Sequence, residues 1–181
     1  MPSGAEPLIT GKRICLRKVQ PSDVDGPYFS WMQDPEVTRY LESRFSDNSK
    51  PAMRRFVQGA LDDPDIHFLA IVLRDGGRHI GNIKLGPINR HHKSADIGII
   101  IGDKGCWGKG YATEAIGLLS AHAFKKLGLH KLTAGCYAGN TGSEKAFLAS
   151  GFALEGKRKE QYLFEGRYVD GLLFGLVNPE G

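Results

Sequence analysis

A short glycine-rich segment between two strongly patterned stretches constrains this chain more than any other feature. It comprises residues 105–115, GCWGKGYATEA, and joins an isoleucine-rich stretch, predicted to be a strand, to an amphipathic helix. The first N–H groups of a helix have no partner within it and carry the positive end of its dipole, so such a turn binds anions. The segment therefore predicts a phosphate-binding site, and pyrophosphate is the anion that would suit it.

Two familiar phosphate-binding motifs do not match this segment. A P-loop requires Ser or Thr directly after its Gly-Lys pair and another glycine five residues before that pair, but Gly110 and Asp103 occupy those positions. A dinucleotide-binding fingerprint that begins at Gly108 requires its third glycine where Thr113 stands, and it belongs in a parallel βαβ unit. Both motifs fail, so the phosphate compound belongs to another class.

The rest of the pattern predicts a mixed sheet flanked by helices, of class α/β (α+β). Apolar runs with turn signals at their ends indicate strands, and apolar residues at helical spacing indicate helices. The predicted order is strand, helices, three antiparallel strands, helix, strand, helix and two strands. We expect strands at 13–17, 67–73, 78–85, 95–101 and 131–137 and a last hairpin at 152–175, with helices from 21, 35, 51, 112 and 143.

Length and composition favour one domain over residues 1–181, of which 1–9 form a flexible N-terminus. Three cysteines without a close pair predict neither a disulfide framework nor a zinc site. No apolar stretch approaches the roughly 20 residues of a membrane helix, and no secretory signal is visible, so we expect a cytoplasmic protein. The net charge of +4 is spread along the chain and suits an anionic cofactor better than a nucleic acid.

The glycine-rich segment resembles the acyl-CoA pyrophosphate loop of the GNAT superfamily of N-acetyltransferases, written Q/R-x-x-G-x-G/A. Gly110 and Ala112 match, whereas Trp107 replaces the usual Gln or Arg, as is typical of the RimJ/RimL-like branch. The resemblance implies a GNAT-like, mostly antiparallel sheet of about seven strands with a splayed central pair that holds acetyl-CoA, and no metal. Further matches follow in family order: DPEV at 34–37, ADIG at 95–98, Asn140 with Ser143, GF at 151–152 and YVD at 168–170.

The same resemblance implies which residues contact the cofactor. The splayed strand offers backbone groups to the pantetheine arm, the loop offers N–H groups to the pyrophosphate, and an asparagine hydrogen-bonds the pantetheine amides. Each feature also has a plain structural reading: a buried strand, a glycine turn without a ligand, or an asparagine that only caps a helix. The cofactor-binding candidates are Ile99, Ile100, Ile101, Trp107, Gly108, Lys109, Gly110, Tyr111, Ala112, Thr113, Asn140, Ser143 and Phe147.

Attack of an amine on a thioester requires loss of the amine proton and a proton for the departing thiolate. Many family members supply the latter from a tyrosine seven residues after the asparagine, where this chain has Phe147. Ser143 is the candidate acid, because the branch commonly has a serine there, and Asp96 is the candidate base. A serine that only satisfies a local backbone group and an exposed strand aspartate are the alternatives. Other candidate bases are His79, His91 and His92.

The superfamily builds its acceptor wall from the first helices, which here carry Arg39, Tyr40, Glu42 and Arg44; a solvated helix face is the alternative. Three kinds of acceptor remain possible: an amino sugar or nucleotide-sugar amine, a protein N-terminus, or another small amine. Residues 80–89 resemble a subgroup associated with surface-polysaccharide amino sugars.

A non-catalytic acyl-CoA-binding regulator is the alternative function. We expect no nucleic-acid or membrane partner, whereas an edge strand near the C-terminus would allow a homodimer.

Overall fold

The computed structural model describes residues 6–180 as an eight-stranded sheet with helices packed on both faces. The strands are β1 (Ile9–Thr10), β2 (Ile14–Lys18), β3 (His67–Leu73), β4 (His79–Leu85), β5 (Ser94–Ile101), β6 (Lys131–Tyr137), β7 (Ala153–Phe164) and β8 (Arg167–Val177). Their order along the sheet is β1-β2-β3-β4-β5-β6-β8-β7. All neighbours are antiparallel except β5 and β6, which are parallel. The predicted mixed, mostly antiparallel sheet is confirmed.

The strand count differs by one from the expected seven. The additional strand is β1, which has only two residues and pairs with β2 through Ile9 and Leu16. The N–H of Leu8 also donates to the carbonyl of Leu16 at 2.8 Å. Leu8 and Ile9, which belong to the predicted flexible N-terminus, are thus hydrogen-bonded to or paired with the sheet, while residues 1–5 lie outside the described part of the chain. Two residues are too few to show a strand periodicity.

The five helices are α1 (Pro27–Gln33), α2 (Pro35–Thr38), α3 (Lys50–Asp62), α4 (Tyr111–Lys125) and α5 (Thr141–Ala149). The first three each have proline in the first turn, where its missing N–H costs nothing. The helix expected from Pro21 is a 3-10 turn, Pro21–Asp25, because Gly26 interrupts it before α1. Among the described helices, none combines the length and apolar character needed to cross a membrane.

Two hydrophobic cores lie on opposite faces of the sheet. One contains the buried residues of α4 and α5, and the other contains those of α1 and α3. Along β5, Ala95 and Ile97 belong to the α4 side, whereas Ile100 packs with the α1–α3 side. Because side chains alternate along a strand, Asp96 and Gly98 also face the α1–α3 side. This side of the sheet is called the helical-cap face below.

The central strands β5 and β6 pair over only a small part of their length. Their ladder consists of Ser94 with Lys131, Ala95 with Leu132 and Asp96 with Thr133. Beyond those pairs β5 continues to Ile101 and β6 to Tyr137, but no further hydrogen-bonded partners connect them. The two strands therefore diverge and leave backbone N–H and C=O groups unpaired along a wedge. This is the splayed strand pair that the resemblance implies.

Candidate active site

The glycine-rich loop connects the open end of this wedge to the first turn of α4. Gly108 and Gly110 have φ of 70° and 78°, in the left-handed region that glycine adopts at little cost. The first helical hydrogen bond runs from the N–H of Glu114 to the carbonyl of Gly110 at 3.1 Å. The N–H groups of residues 108–113 donate to no acceptor within residues 6–180. Unpaired donors at the positive end of a helix fit an anionic pyrophosphate.

Arg13, at the start of β2, fixes the shape of this loop from outside. Its guanidinium donates to the carbonyl of Lys109 and to the carboxylate of Glu114, both at 2.7 Å, and lies 4.6 Å from the ring centre of Tyr111. The carboxylate also accepts the N–H groups of Arg13 and Ile14 at 2.8 and 3.3 Å. Partial burial raises the pKa of Glu114, but these hydrogen bonds outweigh it and hold that pKa below its usual range.

The side chain of Trp107 ties the loop to the last residue of β5. Its indole N–H donates to the carbonyl of Ile101 at 2.7 Å, while 40% of the residue remains exposed. Ile99, Ile100 and Ile101 are half-buried, in contrast to Ile97 with 1% exposure. The part of β5 that does not pair with β6 is thus also the part whose isoleucines are less buried. The tryptophan that replaces the usual Gln or Arg therefore has a structural task in holding the end of the wedge.

The start of α5 lies at the other side of the wedge, directly after β6. The side-chain oxygen of Asn140 accepts the N–H of Ser143 at 3.3 Å, so Asn140 caps the helix. Its amide nitrogen and the half-buried hydroxyl of Ser143 have no hydrogen-bond partner within residues 6–180. Phe147 is 2% exposed and packs in the core against Phe152 and Phe174, with ring centres 5.3 and 5.7 Å away. The position of Phe147 offers no support for a direct cofactor contact.

Asp96 lies at the point where the wedge begins. Its carboxylate accepts a hydrogen bond from the hydroxyl of Thr133 at 2.9 Å, across the last ladder pair between the two strands. Although much of the residue is exposed, partial burial of the carboxyl group raises its pKa, and this outweighs the hydrogen bond from Thr133 and the nearby charge of Lys84. A carboxylate with a raised pKa at the vertex of the wedge is suited to accept a proton.

The helical-cap face carries an aromatic cluster beside the wedge. Tyr40 stacks on Phe164 with ring centres 4.9 Å apart, and Tyr137 stacks on Tyr162 at 4.0 Å. The hydroxyl of Tyr40 also donates to the carbonyl of Gly139 at 3.2 Å. The cluster therefore attaches the segment after α2 to β6 and β7. Sequence reasoning singled out Tyr40 but missed the other three rings, because they are distant in sequence and have no shared motif.

The charged residues predicted for the acceptor wall surround this cluster. The hydroxyl of Tyr137 donates a hydrogen bond to the carboxylate of Glu42, and a guanidinium nitrogen of Arg44 lies 3.4 Å from the same hydroxyl oxygen. Burial and the carboxylate of Glu42 raise the pKa of Tyr137 to about 12, so its phenol stays protonated. Arg39 pairs with Glu165 at 2.9 Å. The structure thus brings the four predicted residues together at one place, and whether they bind the acceptor stays a prediction.

The candidate histidines lie apart from this arrangement. One ring nitrogen of His79 lies 2.8 Å from the side-chain oxygen of Asn82 and 3.0 Å from the carbonyl of Gly81, and burial lowers the pKa of His79. His91 and His92 are exposed in the turn before β5. Within residues 6–180, no group of three or more His, Cys, Asp or Glu side chains is arranged to hold a metal ion.

The chain matches a known protein family over most of its length. The match is to the acetyltransferase (GNAT) domain and spans residues 13–153, which include the wedge, the glycine-rich loop and Asn140. The chain belongs to the GNAT family of acetyltransferases. As a GNAT protein it is an acyltransferase, and the probable N-acetyltransferase YjcK of Bacillus subtilis (strain 168) is 34% identical to it over 180 residues. That alignment covers 96% of this chain and 98% of the relative.

Solved GNAT structures share the fold at lower identity. RimL, a ribosomal L7/L12 α-N-protein acetyltransferase in complex with coenzyme A, superposes with a TM-score of 0.83 at 19% identity, covering 95% of this chain and 98% of RimL. The spermidine N-acetyltransferase of Vibrio cholerae, in complex with CoA and spermine, gives 0.81 at 22%, covering 92% and 96%. The presence of RimL among these neighbours agrees with the RimJ/RimL-like resemblance of the GNAT loop.

Proposed function

We propose that this GNAT protein transfers an acetyl group from acetyl-CoA to a primary amine by direct attack of the amine on the thioester. The observation that carries the proposal is the wedge between β5 and β6, which opens next to the unpaired N–H groups of residues 108–113. Backbone groups along the wedge are available to the amides of a pantetheine arm, and the loop is available to its pyrophosphate. One extended cofactor can thus occupy both features together.

The two substrates are expected to approach from different sides. The loop and the first turn of α4 would receive the cofactor's phosphates at the α4 end of the wedge. Asp96 and Gly98 lie on the helical-cap face, where the aromatic cluster and its charged residues also lie. An amine that enters from this face would meet the thioester without displacing the cofactor. This arrangement suits direct transfer in a ternary complex.

The proton transfers are assigned to Asp96 and Ser143. The amine nitrogen attacks the thioester carbonyl carbon, the amine proton passes to the carboxylate of Asp96 through a water molecule, and the carbon–sulfur bond breaks. The hydroxyl of Ser143 holds the departing thiolate by a hydrogen bond, directly or through water, and where its proton moves to the sulfur the hydroxyl regains one from solvent. The raised pKa of Asp96 and the unpartnered hydroxyl of Ser143 support these roles. Asn140 would donate its free amide N–H to a pantetheine carbonyl.

Calorimetry with acetyl-CoA, followed by thiol release on addition of amines, tests the proposal. The panel contains an N-terminal peptide, a polyamine and amino sugars with and without a nucleotide. We expect acetyl-CoA binding and thiol release that depends on at least one amine. Binding without release from any amine would instead support the non-catalytic regulator, and no binding at near-millimolar acetyl-CoA would overturn the proposal. The cytoplasmic location and a homodimer remain predictions.

A further inference from the structure

Arg44 lies against the aromatic cluster on the helical-cap face. The guanidinium of Arg44 contacts the carbonyl of Arg39 and lies 4.4 Å from the ring centre of Phe45 and 5.3 Å from that of Tyr137. It forms an ion pair with no carboxylate within residues 6–180, although the residue is half-buried. A half-buried guanidinium that makes no direct ion pair keeps N–H donors available for an incoming anion.

Arg39, the other arginine at the aromatic cluster, differs from Arg44 because it forms an ion pair. The guanidinium of Arg39 lies over the ring of Tyr40 at 4.9 Å, but Glu165 neutralises it at 2.9 Å. A guanidinium presents several N–H donors in one plane, which matches the two or three oxygens of a carboxylate or phosphate. Arg44 is therefore the group in this cluster that is able to bind an anionic substituent without giving up an existing ion pair.

A carboxylate lies directly beside this cation. Glu42 is exposed, and one of its carboxylate oxygens accepts a hydrogen bond from the hydroxyl of Tyr137. Its other oxygen has no hydrogen-bond partner within residues 6–180. Arg44 and Glu42 both approach the hydroxyl of Tyr137, so a positive and a negative side chain contact the same phenol. That phenol stays protonated. This is the charge pattern that complements a molecule with both an ammonium and an anionic group.

Building on the proposed function, we propose that the acceptor is a primary amine that also carries a carboxylate or a phosphate, with the anionic group bound by Arg44 and the amine oriented by Glu42. A polyamine fits the same surface poorly. The faces of the rings that would attract its ammonium groups by cation–π contact already carry the guanidinium groups of Arg39 and Arg44. A second positive charge would also be repelled by Arg44.

Matched acceptors with and without the anion test this inference. Thiol release from acetyl-CoA is measured with glucosamine 6-phosphate against glucosamine, with alanine against alaninamide, and with spermine. For the better anionic acceptor we expect kcat/KM about 10-fold or more above that of its neutral counterpart, since charged hydrogen bonds contribute about 1.5–3 kcal/mol. Arg44→Met keeps the length and apolar contacts of the side chain and should lower this value by about 10- to 100-fold.

Two variants, Arg44→Met and Arg54→Met, show whether the preference for an anionic acceptor depends on Arg44. Arg44→Met should leave the acetyl-CoA dissociation constant within about twofold, because Arg44 does not contact the glycine-rich loop, and should lower kcat/KM for the neutral counterpart less than for the anionic acceptor, which also loses its anion contact. Arg54→Met, on α3 and paired with Asp25, should change neither rate. Equal use of the anionic and neutral members, spermine as the best acceptor, or an equal loss on both members in Arg44→Met would overturn the inference and leave the acetyltransferase assignment intact. Thiol release with none of the amines would overturn both.

Discussion

Glu114 accepts two hydrogen bonds from Arg13, one from its backbone N–H at 2.8 Å and one from its guanidinium at 2.7 Å, across 101 residues of sequence. The same guanidinium donates to the carbonyl of Lys109. This contact holds the peptide of Lys109 beside the loop N–H groups that have no acceptor within residues 6–180. The shape of the loop therefore depends on Arg13, a residue directly before β2 and distant from the loop in sequence.

Arg13→Ala is expected to weaken acetyl-CoA binding about 5- to 20-fold, since it removes charge-assisted hydrogen bonds that hold the loop. Calorimetric titration with acetyl-CoA measures the change. Arg74→Ala is the matched control, because Arg74 binds the carbonyls of Gly11 and Lys12 in the same region but does not contact the loop. Equal effects of both variants would mean that the loss arises from general destabilisation near β2 and not from the loop.

Asp96→Asn is expected to lower kcat by roughly 10²- to 10⁴-fold, the usual contribution of a general base. In the parent protein, kcat at saturating acceptor should fall as pH drops through the pKa of Asp96. Because partial burial raises that pKa, the fall should begin at a higher pH than an ordinary aspartate would give, and it should be absent in Asp96→Asn. Stopped-flow thiol detection across pH measures this, and an unchanged acid limb in the variant would exclude Asp96 as the base.

Thermal unfolding separates a role of Asp96 as general base from a role in stability. A carboxyl group with a raised pKa in the folded state makes folding more favourable as pH falls through that pKa, so its ionised form is a cost at neutral pH. Asp96→Asn should therefore keep or raise the melting temperature at pH 7. Asp23→Asn should do the opposite and cost about 3 kcal/mol, because Asp23 forms a nearly buried ion pair with Arg17 at 2.7 Å. Burial raises the pKa of Asp23, but its hydrogen bonds from Arg17 and Gln20 outweigh this and lower that pKa.

The sequence predicted those parts of the fold that local pattern determines. β3 and β6 occur at the predicted residues 67–73 and 131–137, because continuous apolar runs with turn signals specify buried strands. The wedge between β5 and β6 has no local signature and was expected only through family resemblance. The aromatic cluster joins Tyr40 to Tyr137 and Phe164 by tertiary packing, so neither spacing nor periodicity indicated it.

Ser143→Ala is expected to lower kcat by about 10- to 100-fold while the acetyl-CoA dissociation constant changes less than about threefold, since its hydroxyl has no partner within the described chain. Solvent isotope effects on thiol release would show whether departure of the thiolate has become slower. Thr141→Ala, at the exposed first residue of the same helix, should leave kcat unchanged. A parent-like rate in Ser143→Ala would mean that Ser143 does not act on the thiolate and only forms local contacts at the start of the helix.

Two glycines near the wedge should respond differently to a methyl group. A Cβ on Gly102 would overlap the ring of Trp31, a residue of α1 that is only 7% exposed, whereas a Cβ on Gly98 would meet no atom within 4 Å. We expect Gly102→Ala to lower the free energy of unfolding by about 1–3 kcal/mol through overpacking. Gly98→Ala should change it by less than about 0.5 kcal/mol. Chemical denaturation measures both values.

The open space at Gly98 also provides a test of the direction from which the acceptor enters. Gly98 lies on the helical-cap face, two residues beyond the last ladder pair at Asp96. A larger side chain in Gly98→Val should fill this space and raise the acceptor KM about 10-fold or more, at roughly unchanged stability, because it narrows the approach to the thioester. An unchanged acceptor KM in a folded Gly98→Val protein would mean that the amine reaches the thioester from another side.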